Sequence, residues 1–163
     1  MLLINREVKS IVTKSKLPAT DYVVNPYIGC AHKCIYCYAE FMMRFSDINK
    51  PWGDYIIIKN VQKPINIKRL ANKKILFSSV TDPYQPINAK YNLTRELLRQ
   101  FINSECDIEI LTKSKFLLND MEIIKKISKI KIGISLSTTN DSFRKDIEPG
   151  ASSVEDRLIC LEY

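Results

Sequence analysis

The sequence predicts an α/β protein built as a partial, open βα barrel, with a parallel sheet and helices on its outer face. Three observations predict it. Short β-branched runs alternate with helix-length stretches from residue 65 onward. Stretches of that length between strands imply parallel pairing through right-handed crossovers. The alternation amounts to about four βα units, whereas a closed eight-stranded barrel takes roughly 200 residues or more, and this chain has 163.

Along the chain, residues 1–20 show no strong period and read as a lead-in segment running into KLPATD; residues 21–163 form the core domain, expected to be incomplete at its C-terminus. Tyr22 to Ile28, with Val23 and Val24, suits a strand that Gly29 and the cysteines interrupt. Tyr38 to Phe45 reads as a short helix. Trp52 to Val61 carries Ile56, Ile57 and Ile58 and reads as extended. A helix over Ile65 to Ala71 precedes the strand Lys74 to Val80, whose run Ile75, Leu76, Phe77 suits burial. After the loop TDPYQPINAKY, the residues Leu93, Leu97 and Phe101 recur at i, i+4 and i+8, one apolar stripe on a helix from Asn92 to Ser104. Asp107 to Leu111 is the next strand and leads into Thr112 and Lys113. Asn119 with Glu122 resembles a capping box opening a helix faced by Ile123, Ile127 and Ile130. Lys131 to Leu136 is the last strand, and Val154 to Tyr163 is a helix expected to be cut off by the chain end.

Composition bounds the function. There are 25 Lys and Arg against 18 Asp and Glu, a formal charge of +7, which favours phosphates, acidic cofactors or nucleic acid as partners. The basic residues are spread along the chain, as at Lys9, Lys68, Lys125 and Lys131, and read as a solvated surface more readily than as a nucleic-acid face. The N-terminal MLLINREVKSIVTKSK holds no apolar run long enough for a signal peptide or a membrane span, so a soluble, cytoplasmic protein without a membrane partner is expected. Five cysteines is an odd number, and three of them lie within eight residues. That is poor material for a disulfide framework and good material for a metal site.

Residues 29–40 read GCAHKCIYCYAE and place Cys30, Cys34 and Cys37 at C-x3-C-x2-C spacing on a loop after a strand. Three thiolates on a short loop can hold three irons of a cubane cluster, and without a fourth protein ligand one iron stays open to a small molecule. The alternative is zinc held by these cysteines with His32 or Cys106, in a zinc-stabilised nucleic-acid-binding module. Structural zinc sites usually bring their ligands in two separated pairs, and His32 stands between two of the cysteines, so the spacing favours the cluster.

C-x3-C-x2-C with an aromatic Tyr36 before the third cysteine resembles the signature loop of the radical S-adenosylmethionine superfamily. NPYIGCAHKCIYCYAE, FSSVTDPYQPIN, TRELL, ILTKS and ISLSTTN through EPGASSVEDRL resemble the branch that includes spore photoproduct lyase, over roughly residues 21 to 160. The resemblance implies a radical-SAM-type βα barrel, a [4Fe-4S] cluster on Cys30, Cys34 and Cys37, and reductive cleavage of S-adenosyl-L-methionine to a 5'-deoxyadenosyl radical. It implies an electron donor such as a flavodoxin or ferredoxin, and a partner chain completing the barrel or a cluster-binding chain without turnover. α/β barrels build their sites at the C-terminal ends of strands. By similarity, the cofactor-binding residues are Tyr36, Ser79, Thr81, Asp82, Lys113, Ser135 and Ser137, with Thr81 and Asp82 on the methionine amino group and Lys113 on its carboxylate. Strand alternation puts Ser135 and Ser137 on one face. Glu148 and Arg157 lie in the matched region and read as a helix-end charge and its surface partner. The photoproduct lyases place a hydrogen-donating cysteine near Ser79, and serine is a poor hydrogen-atom donor, so thymine-dimer repair is not what this chain is expected to do.

Overall fold

The computed structural model describes residues 1–60 and 64–163, so Val61, at the end of the expected extended stretch, lies outside the described residues. The strands are β1 (Leu2–Arg6), β2 (Val12–Lys14), β3 (Tyr22–Val24), β4 (Tyr27–Ile28), β5 (Tyr55–Lys59), β6 (Lys74–Phe77), β7 (Asp107–Thr112) and β8 (Ile130–Ile134). The α-helices are α1 (Asn88–Tyr91), α2 (Leu93–Arg99), α3 (Met121–Ile124), α4 (Asp141–Ile147) and α5 (Val154–Ile159).

A five-stranded sheet runs β2-β3-β6-β7-β8. From β3 to β8 every pairing is parallel, and β2 joins antiparallel at the edge. This is the parallel sheet with covering helices that the alternation predicts. A second sheet, β1-β5-β4, pairs the start of the chain in parallel with β5. The lead-in segment, which shows no strong period in the sequence, thus contributes to both sheets. Its β1 is exposed or half-buried along its length and carries no clean alternation to reveal it.

The expected strand Tyr22 to Ile28 is two strands in two sheets. Pro26 has no N–H to donate to a ladder, and there the chain crosses from one sheet to the other, with the Asn25 side chain bonded to Ser79. The strand expected to reach Val80 stops at Phe77, because Ser78 turns to φ 68°. The helix expected from Asn92 to Ser104 is α2, which starts after Asn92 at φ 52° and ends at Arg99, while the short α1 lies inside the expected loop before it. The expected Asn119 capping box does not form: α3 has Asp120 at its N-cap position without a side-chain cap, and Ser114 caps the preceding turn at Lys115–Asp120 by accepting from the Phe116 N–H. Ile130 opens β8 instead of closing a helix. The segments expected as helices at Tyr38–Phe45 and near Ile67–Leu70 are 3-10 helices. Helix α4, absent from the sequence expectations, is capped by Asn140, which accepts from the Phe143 N–H.

The main core lies between the parallel sheet and the helices. Val24, Ile75, Phe77, Ile108 and Ile110 meet Leu97, Leu98 and Phe101 of and after α2 and Ile123, Ile124 and Ile127 of and after α3. Phe77 and Phe101 pack edge to face with centroids 5.6 Å apart, a favoured aromatic geometry. A smaller cluster of Tyr27, Ile56, Ile58 and Ile87 supports the loop that leaves β4. Among the described residues no helix is long and apolar enough to cross a membrane.

Gly29 is the hinge at which that loop begins. Its φ is 96°, and a Cβ there would stand 2.3 Å from the Tyr55 carbonyl oxygen of β5. Gly29→Ala should therefore cost about 1–3 kcal/mol through left-handed backbone strain and collision, read as a lowered urea midpoint at unchanged m-value.

Candidate functional site

The cysteine loop runs over the C-terminal ends of the parallel strands, where its backbone has no sheet partner. Side chains supply the missing hydrogen bonds. Thr81 Oγ1 donates to the Gly29 carbonyl at 2.6 Å and Gln85 Nε2 to the same oxygen at 3.2 Å, while Gln85 Oε1 accepts from the Ala31 N–H at 2.8 Å. Gln85 is fully buried. The C-terminal part of the chain closes from the other side. Ile35 N–H donates to the Ile147 carbonyl and Gly150 N–H to the His32 carbonyl, both at 3.0 Å. A Cβ on Gly150 would lie 2.1 Å from the Ala31 oxygen, so only glycine lets the two segments approach this closely.

This framework gathers Cys30, Cys34 and Cys37 around one cleft, which Tyr36, Ser79, Thr81, Asp82, Lys113 and Ser135 also line. Of the expected site residues, Ser137 alone stands outside this lining, and it touches the cleft through Tyr36 and Glu148. Tyr38 reaches back from the loop to donate its hydroxyl hydrogen to the Ser79 carbonyl. Cys30 is buried, and Cys34 and Cys37 are half-buried.

Burial pushes the Cys30 thiol up to about 12, aided by the Asp82 charge, although backbone N–H groups of His32 and Asp82 pull the other way. Burial likewise raises the Cys34 thiol, against the pull of Lys113. Such thiols are inert by themselves. A bound metal inverts that preference, because its charge stabilises the coordinating thiolate.

Among the described residues no three His, Cys, Asp or Glu side chains converge as ligands of a single ion. A cubane cluster makes a different demand: each thiolate meets its own iron, so the sulfurs surround a shared space instead of one point. Three cysteines lining one cleft fit that donor set. Cys106, the other ligand considered for zinc, precedes β7 at the opposite end of the sheet, where it packs in the core and donates to the Leu70 carbonyl.

Asp82 is the anionic hub of the cleft. Oδ1 accepts from the Tyr84 N–H at 2.8 Å and Thr112 Oγ1 at 2.6 Å; Oδ2 accepts from the Lys113 N–H at 2.8 Å and lies 3.4 Å from His32 Nδ1. His32 is 1% exposed, and burial lowers its pKa against the opposing pull of Asp82. By spacing alone, His32 stands only as a candidate zinc ligand; its place on Asp82 needs the fold.

Glu148 and Arg157, expected at the surface, are both completely buried. Arg157 donates from one Nη to Glu148 Oε2 at 2.5 Å, from the other to the Ser135 carbonyl, and from Nε to the Ser152 carbonyl. Glu148 Oε1 accepts from Ser137 Oγ at 2.6 Å and from the Tyr36 hydroxyl, with Lys113 Nζ at 4.0 Å. The difference has a physical source: each charge reads as surface until a partner is known, and the partner stands nine residues away. Burial pushes the Glu148 carboxyl up, but the hydrogen bonds from Ser137, Tyr36 and Arg157 outweigh it and hold the group below its usual range.

The sequence profile of the family described as "Radical SAM superfamily" matches residues 24–163. An uncharacterized protein of Methanocaldococcus jannaschii, MJ0683, is 38% identical over 161 residues, covering 98% of this chain and 61% of that protein. A protein of Pseudomonas phage M6 named "Radical SAM Nalpha-GlyT isomerase" is 25% identical over 146 residues, covering 83% of this chain and 28% of that one. The structure of spore photoproduct lyase complexed with dinucleoside spore photoproduct superposes with a TM-score of 0.71 at 18% identity, covering 98% of this chain and 46% of the lyase. At that identity the likeness is one of fold. The chain thus spans less than two thirds of the length of each of these relatives.

Glu148→Gln removes the anion and leaves the Arg157 guanidinium buried without its partner, which should cost about 3–5 kcal/mol. The sign with pH comes from the lowered carboxyl. Its stabilisation is complete above the unfolded-state value of about 4.3 and is lost as pH falls through the lower folded-state value. Thermal melts from pH 7 to pH 3 should show the wild type losing stability faster than Glu148→Gln at the acid end.

Proposed function

This chain belongs to the radical S-adenosylmethionine superfamily, and on that premise we propose that it holds a [4Fe-4S] cluster through Cys30, Cys34 and Cys37 and cleaves S-adenosyl-L-methionine reductively. When bound, the cluster supplies the electron that splits the cofactor into methionine and a 5'-deoxyadenosyl radical, which abstracts hydrogen from a second molecule. The observation that carries this reading is the set of three thiols around one cleft at the C-terminal ends of parallel strands.

The chain's own residues bind, orient and shield. Ser79, Thr81, Asp82, Lys113, Ser135 and Ser137 form the cofactor's polar surroundings, with Lys113 as the cation for the methionine carboxylate and Asp82 as the charge that balances the amino group. Thr81 does this while pinning the Gly29 carbonyl, which keeps Cys30 directed into the cleft. Tyr36 offers an aromatic face that carries Lys113 Nζ 5.8 Å from its centroid. The electron comes from a low-potential protein donor such as a flavodoxin or ferredoxin. In the neighbourhood where the photoproduct lyases are expected to carry a hydrogen-donating cysteine this chain has Ser79, which supports a different second molecule.

Anaerobic reconstitution with iron and sulfide, then dithionite and S-adenosylmethionine, should give a brown protein that releases 5'-deoxyadenosine. Cys30→Ala, Cys34→Ala and Cys37→Ala should each abolish colour and release together. Zinc at one ion per chain without a brown chromophore would replace this reading with the zinc-stabilised nucleic-acid module. Cofactor binding without 5'-deoxyadenosine would identify a cluster-binding chain without turnover.

A further inference from the structure

Among the described residues, two polar side-chain atoms of residues lining the cysteine cleft are buried with no hydrogen-bond partner: His32 Nε2 and Ser78 Oγ. A buried polar group left unpaired costs on the order of 1–3 kcal/mol, so two of them in the walls of one cleft point to a ligand that pairs them. The surroundings of each sharpen the point. Ser78 holds a left-handed φ of 68°, although serine gains nothing intrinsic from that conformation. Strain at a cleft wall is retained where it aims a group. His32 lies inside the cysteine loop with its ring buried and Nδ1 directed at the Asp82 carboxylate.

The chemistry of that contact fixes what Nε2 can do. Asp82 offers acceptors only, so the nitrogen facing it carries the ring hydrogen, and in a neutral imidazole the other nitrogen is then an acceptor. Asp82 itself has little capacity left. A carboxylate accepts at about four lone-pair positions; the Tyr84 N–H, Thr112 Oγ1 and Lys113 N–H take three of them, and His32 Nδ1 stands 3.4 Å from Oδ2. Beside that charge His32 Nε2 is a buried acceptor without a partner among the described residues, and the Ser78 hydroxyl is a second unpaired group of a residue lining the cleft.

We propose that His32 is a cofactor-binding residue, its Nε2 accepting a hydrogen bond from the amino group of the methionine moiety of S-adenosylmethionine while Asp82 holds the ring through Nδ1. This rests on the cluster and cofactor reading above. It makes Asp82 act on the amino group through an intervening imidazole.

His32 is the single histidine of the chain, so protein grown on ring-15N histidine reports this side chain alone. With the cluster loaded and oxidised, so that the cofactor binds without being cleaved, the Nε2 resonance should move on adding S-adenosylmethionine and stay in place with the analogue lacking the α-amino group. A resonance that moves equally with both bound ligands, or with neither, overturns the proposal. In parallel, cluster-loaded His32→Ala should bind S-adenosylmethionine roughly tenfold more weakly, with a smaller loss for the analogue. Equal losses, or affinity within twofold of wild type, overturn it as well. Failure of the wild type to take up iron and sulfide or to bind the cofactor is a failure of the cluster reading, whereas wild type that binds the cofactor and leaves the His32 nitrogen unmoved refutes this inference alone.

Discussion

The rest of the site depends on how a loop without secondary structure satisfies its backbone over the end of a parallel sheet. A buried N–H or carbonyl without a partner costs as much as a lost hydrogen bond, and the cysteine loop lies beyond the reach of any strand ladder. Gln85 and Thr81 meet this demand with two side chains on one carbonyl and one N–H, and the segment from Ile147 to Gly150 meets it from the opposite side. Both supports come from elements remote in sequence. The thiols are thus placed by the folded sheet and by α4 with the turn at its C-terminal end, and the loop's own sequence contributes mainly the glycine that lets it leave β4.

The buried pair Glu148–Arg157 extends that support to the last helix. Two charges removed from water repay their desolvation only when the geometry is good and the remaining hydrogen-bonding capacity is used. Here Arg157 spends its donors on Glu148 and two backbone carbonyls, and Glu148 spends its acceptors on Arg157, Ser137 and Tyr36. Tyr36 sits between Cys34 and Cys37, so the network couples α5 and the end of β8 to the cysteine loop. The same carboxylate lies within 4.0 Å of Lys113 Nζ, which makes it the common point of the cleft's cationic and aromatic walls.

Asp82 plays the matching part on the other wall. It ties the end of β6 to the end of β7 through Thr112 and the Lys113 N–H, and it orients the one histidine. A residue chosen from sequence as a ligand contact is, in the fold, the brace between two strands. A carboxylate placed where strand ends converge is surrounded by backbone donors as well as by the cleft.

The alternation of strands and helices, the parallel core sheet and the cysteine motif were all legible in the amino-acid order, because each is a local pattern: a β-branched run, an apolar stripe, a fixed spacing of thiols. The points where local reading failed are equally specific. The chain at Asn25 and Pro26 divides one apparent strand between two sheets, the apparent loop before Asn92 holds the short α1, and β1 finds a partner in β5 about fifty positions later. What the sequence by itself determined is which chemistry-bearing residues exist and on which kind of element each stands. Only the tertiary structure decided which of them are buried and paired: His32 on Asp82, Gln85 under the cysteine loop, Glu148 on Arg157. The reason is physical, for desolvation and hydrogen-bond completion depend on every group that surrounds a side chain, and those groups are assembled from distant parts of the chain.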